Sequence, residues 1–180
     1  AGAVLGINPF DEPNVTESKR NTSELLSRFE DEGDLGEAEP VTSAGELRAW
    51  TGGGAASGSS PLETVRLLLE DLGDGGYLAL LPYFRRTEER DHALQTLRRT
   101  VRTRRRAATT LGYGPRYLHS TGQLHKGGPP RGSYLVLTAD PVTDVEIPGE
   151  AYGFATLIRA QALGDVRALA DHGRPVVRLH

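Results

Sequence analysis

Cysteine and methionine are both absent from the 180 residues, and only two of the 21 basic side chains are lysine. Without cysteine the chain can form neither a disulfide nor a thiolate metal site, and a reducing cytoplasmic location is compatible with that. No apolar run approaches the roughly 18 residues that cross a bilayer, and the N-terminus lacks the basic-then-apolar order of a secretory signal, so no membrane partner is expected. A net charge of −3 argues against a dedicated nucleic-acid binder, because phosphate recognition needs a basic balance. The chain opens at Ala1 with no methionine anywhere, and the expectation is a processed product or a piece of a longer polypeptide. Where arginine is the default cation, Lys19 and Lys126 stand out, since a compact ammonium has uses that a planar guanidinium does not.

An apolar content of 37% suits one ordinary globular core. Asn14 followed by Glu17 has the pattern of a capping box, and a helix is expected over 15–30 with Val15, Lys19, Thr22, Leu26 and Phe29 on its inward stripe. Residues 31–60 are acidic and then glycine-rich; they read as a surface connection with one short helix over 44–50. The run from Gly52 to Ser60 lacks the lysine and spacing of a P-loop and reads as flexible linker. Ser60, Pro61 and Glu63 open a second helix. An apolar run over 77–84 reads as a buried strand, and Thr87 opens a long helix to about residue 111. Further on, strands are expected over 133–138 and 175–179, with helices over 152–163 and 165–171. Helices alternating with short apolar strands predict an α/β fold, a three-layer sandwich with a mostly parallel sheet flanked by helices.

Two segments concentrate polar chemistry. In the first, Gly6-Ile7-Asn8-Pro9-Phe10-Asp11-Glu12-Pro13 feeds the helix that carries Lys19. An ammonium on an inward face needs a carboxylate or a polar pocket, because burying it alone costs several kcal/mol. The second runs from Gly112 to Pro129 and places His119, Ser120, Thr121, Gln123, His125 and Lys126 between glycines, a composition suited to proton transfer and to hydrogen bonding of a polyhydroxylated anion. His119 and His125 have no third ligand at a zinc-site spacing, so no metal is expected.

The first segment resembles the signature of glucose-6-phosphate isomerases, an Asn-x-Phe-Asp-Gln loop followed by a helix with a lysine eight residues after the Asp. Asp11 and Lys19 have that spacing; Glu12 stands where the family has Gln. The second segment, with residues 151–180, resembles the C-terminal end of bacterial transaldolase and glucose-6-phosphate isomerase fusions. In single-function isomerases the similar segment precedes the lysine helix, whereas here it follows. The resemblance implies a sugar-isomerase-like fold and interconversion of glucose 6-phosphate and fructose 6-phosphate through an enediol, without cofactor. It implies Lys19 and His119 as catalytic residues, and Glu12, Gln123, His125 and Lys126 as contacts to the sugar-phosphate substrate. The family's glutamate base has no matching motif here and is expected in upstream domains of the parent polypeptide.

On this reading residues 1–30 complete an upstream domain, 31–60 form a linker, and 61–180 form the α/β domain. The arginines at 98, 99, 102, 104, 105 and 106 read as a solvated or subunit-pairing surface, which would suit a homodimer. Two other classes remain open: a non-catalytic sugar-phosphate-binding module, and a subunit-interaction domain.

Overall fold

The computed structural model describes residues 2–6, 8, 11 and 13–180. Its helices are α1 (Gly2–Leu5), α2 (Pro13–Glu32), α3 (Pro61–Glu70), α4 (Glu88–Arg105), α5 (Gly122–Gly127) and α6 (Phe154–Asp171). Its strands are β1 (Thr42–Ala44), β2 (Leu47–Gly52), β3 (Tyr77–Tyr83), β4 (Ala108–Leu111), β5 (Gly132–Thr138) and β6 (Val176–Leu179). They form one sheet in the order β1-β2-β6-β5-β3-β4. The four strands from β6 to β4 are parallel, and the β1–β2 hairpin adds an antiparallel edge.

Strand alternation divides the core into two layers. Ala79, Leu81, Tyr83, Tyr134, Val136 and Val176 face α6, which supplies Ala162 and Leu169. Leu78, Leu80, Leu135 and Val177 face the other way, onto Leu68 of α3 and Leu94 and Val101 of α4. Strands apolar on both faces are what a covered parallel sheet requires, and each fully buried leucine contributes about 1.5–3 kcal/mol. The expected three-layer α/β sandwich with a mostly parallel sheet is therefore the fold. Among the described residues no helix is long and apolar enough to cross a membrane.

Two helix starts follow the sequence closely. The Ser60 side chain accepts a hydrogen bond from the Glu63 backbone, with Pro61 in the first turn, and the Thr87 side chain accepts from Arg90. Three other expectations are corrected. The segment read as linker with a helix over 44–50 is the β1–β2 hairpin. Its two-residue turn starts at Gly45, whose φ of +61° suits glycine at the head of a hairpin loop. The hairpin is held where Trp50 lies over the Arg178 guanidinium at 3.5 Å and donates to the Ala38 carbonyl at 2.7 Å. The helix expected to reach residue 111 stops at Arg105, Arg106 turns left-handed, and 108–111 becomes β4, because two adjacent threonines fit a strand beside β3 better than a helix end. Finally, the two helices expected on either side of Gly164 are one helix, α6. That glycine lies where α2 crosses: a Cβ there would meet the Thr22 backbone N at 2.9 Å and its Oγ1 at 2.8 Å.

Candidate functional site

The two polar segments meet although they lie some hundred residues apart in sequence. The inward face of α2 is Val15, Ser18 and Asn21, all buried. Lys19 is exposed, which corrects the expected stripe. The physical reason is the cost of burying an ammonium: the helix is turned so that short polar side chains face in and find partners. Ser18 donates to the Asp165 carboxylate at 3.2 Å, and Asn21 donates to the Gly164 carbonyl at 3.3 Å. Asn14, expected as a cap, lies inside the first turn; its side-chain oxygen accepts from Gln123 Nε2 at 2.7 Å.

The second polar segment, from Gly112 to Pro129, contains a 3-10 turn (Arg116–His119) and α5. His119 is exposed at the end of that turn, while Gln123 is half-buried against α2. His125 and Lys126 are 1% and 0% exposed, so they are wall rather than lining. Glu12 lies outside the described residues.

His125 is set in a ring of hydrogen bonds whose directions can be assigned. The Tyr134 hydroxyl donates to the His125 carbonyl at 2.8 Å, so its oxygen accepts from the Tyr77 hydroxyl at 2.8 Å. Tyr77 has then spent its proton and must accept from His125 Nδ1, at 2.9 Å. The imidazole therefore carries a proton on Nδ1. Burial, with the nearby Lys126 ammonium, pushes its pKa down to about 4. The rings of Tyr77, Tyr117 and Tyr134 surround it at centroid distances of 5.3–5.8 Å. Arg174 closes the far side by donating to the Lys126 and Gly128 carbonyls at 2.7 and 2.5 Å.

Lys126 extends to Asp165 in the middle of α6, and both side chains are fully buried. Burial pushes the Asp165 carboxyl up, opposed by the hydrogen bonds from Tyr83 and Ser18, and pushes the Lys126 ammonium down, opposed by the Glu17 charge. Tyr83 donates to the other Asp165 oxygen at 3.2 Å. Asp165 was not anticipated, but a signal for it was present: Ile158, Ala162, Asp165 and Leu169 are spaced by four, three and four residues on one inward stripe. Splitting the helix at Gly164 hid that spacing. At the rim, His172 Nε2 lies 2.7 Å from Glu17 and 3.1 Å from the Asn14 amide.

A separate cavity of about 790 Å³ opens at the carboxyl ends of the parallel strands, lined by Tyr83, Thr138, Asp140, Arg159 and His180 among others. Ligands of such sheets commonly bind there. Lys19, His119, Gln123, His125 and Lys126 do not line it; His125 instead contacts Tyr77, at the amino end of β3. Among the described residues no group of three or more His, Asp or Glu side chains is placed to hold a metal ion.

No protein-family model matches the chain, and no curated protein matches it. Among solved structures it is similar to a hypothetical protein from Thermus thermophilus, with 22% identity and a TM-score of 0.56 over 67% of this chain. That match spans 33% of the other protein, so this chain corresponds to about a third of its length. The likeness is one of fold.

Proposed function

We propose that the chain is part of an aldose-ketose isomerase that interconverts glucose 6-phosphate and fructose 6-phosphate through an enediol. The observation that carries this reading is the docking of the Lys19-bearing helix onto α5 through Asn14 and Gln123, since these are the two segments that resemble the isomerase family. In the proposed reaction the sugar ring opens, a base removes the proton at C2, and the proton returns at C1. Lys19, exposed on α2, supplies an ammonium to the sugar oxygens and stabilises the enediolate, the kind of charge that a preorganised cation stabilises best. Gln123, Glu12 and His119 are the companion contacts to substrate. His125 and Lys126 are assigned a supporting role, because their side chains are buried. The base and the phosphate site are contributed by other parts of the polypeptide or by a second subunit.

The test is turnover of fructose 6-phosphate in D₂O by the natural polypeptide that contains this chain. The product glucose 6-phosphate should carry deuterium at C2, and the isolated 180 residues should be nearly inactive. Saturable binding of the sugar phosphate with no turnover by that polypeptide would make the chain a binding module instead.

A further inference from the structure

We propose that Asp165 is a positioning residue for this site: its buried carboxylate, paired with Lys126, fixes the register of α2 on α5 and α6, and with it the place of Lys19. The kinetic consequence rests on the isomerase reading, whereas the structural one does not.

Four elements converge at Asp165. Lys126 reaches it from α5, Ser18 from α2 and Tyr83 from β3, while Asp165 itself belongs to α6. All four side chains are at most 2% exposed. A carboxylate with two oxygens and several lone pairs can accept from three donors at once, which no neutral side chain of its size can do.

The α2 contact has other fastenings, from Asn14 to Gln123 and from Asn21 to the Gly164 carbonyl, and Asp165 supplies the charged one between them. Two of the three fully buried residues of α2, Ser18 and Asn21, are polar, and apolar burial there is confined to Val15. Gly164 lets the α2 and α6 backbones approach closely, but close approach alone leaves the helix free to slide or turn. Ser18 and Lys19 are consecutive, one inward and one outward. A change in how Ser18 seats therefore moves the Lys19 ammonium directly. The polar groups facing Asp165 are Lys126, Ser18 and Tyr83, and the seam continues through Asn21 to the Gly164 carbonyl. The requirement for an ammonium at position 126 follows, since an unpaired carboxylate at full burial would shed its charge.

The experiment compares Ser18→Ala, Asp165→Asn and the double variant Lys126→Met/Asp165→Leu in the natural polypeptide, by hydrogen exchange of α2 and by isomerase kinetics. In Asp165→Asn, amides of residues 15–22 should exchange on the order of tenfold faster while strands 77–83 and 132–138 keep their protection. The turnover number should fall on the order of tenfold with little change in KM, as expected when a transition-state contact is misplaced. Ser18→Ala, which removes one hydrogen bond and should fold in any case, should shift both readouts in the same direction by roughly threefold. The double variant should recover thermal stability without recovering α2 protection. The proposal is overturned if α2 exchange stays at the parent rate in Ser18→Ala, if the strands loosen in parallel with α2, or if the double variant protects α2 fully. Absence of isomerase activity in the parent would count against the isomerase reading and leave the exchange comparison intact.

Discussion

Asn14 and Gln123 face each other amide to amide: Gln123 Nε2 donates to Asn14 Oδ1 at 2.7 Å, and Gln123 Oε1 accepts from the Asn14 backbone at 3.3 Å. The pair joins the first turn of α2 to α5. Replacing either side chain by alanine should lower stability by about 1 kcal/mol, and the double substitution should cost clearly less than the sum of the two. Urea denaturation of the four members of the cycle checks this; strict additivity would mean that the pair contributes no coupling.

Lys19 is exposed, so its removal should leave folding nearly untouched while affecting chemistry. In the natural polypeptide, Lys19→Ala should reduce turnover by roughly a hundredfold, the scale for losing a cation that stabilises a developing oxyanion. The thermal midpoint should stay within a degree or two of the parent, in keeping with the small effect of surface substitutions, about ±0.5 kcal/mol. Normal kinetics would remove Lys19 from the site.

The neutral His125 predicts acid sensitivity. Its pKa is near 4 in the folded chain and about 6.5 in an unfolded one. Between those values the unfolded state takes up a proton that the folded state refuses, so stability falls as pH drops from about 6.5 to 4 and this contribution levels off below. The full loss is on the order of 3 kcal/mol. The raised Asp165 carboxyl contributes with the opposite sign over the same range, so the measure is the difference between the parent and His125→Gln in how far the denaturation midpoint moves from pH 7 to pH 4.5.

Gly164→Ala separates intrinsic propensity from packing. Alanine favours an isolated helix by about 1 kcal/mol over glycine. Here, however, the added methyl would press on the Thr22 backbone of α2. The substitution should therefore destabilise by about 1–3 kcal/mol. A gain in thermal midpoint would mean that α2 yields at the crossing without cost.

Much of the layering was legible because strand and helix periods report burial directly. The apolar run of β3 and the capped starts of α3 and α4 needed no tertiary information. The β1–β2 hairpin was not legible, since Leu47 and Trp50 are spaced as a helix would space them, and only the edge of β6 decides that the segment pairs as a strand. In the candidate site, sequence identified α2 and α5 as the segments of interest and set Val15 inward, but put Lys19 on the stripe where Ser18 sits. An apolar stripe weak enough to contain threonine and lysine fixes rotation poorly, and the deciding partner, Asp165, lies 147 residues away.

Arg98 of α4 reaches over β4 and donates to the outward Thr109 carbonyl at 3.0 Å and to its hydroxyl at 3.4 Å. β4 is four residues long, and at the opposite edge β1 has three. A guanidinium clamped over one border and a stub at the other offer no template for a further strand to zip onto. Such borders disfavour growth of the sheet from one molecule into the next.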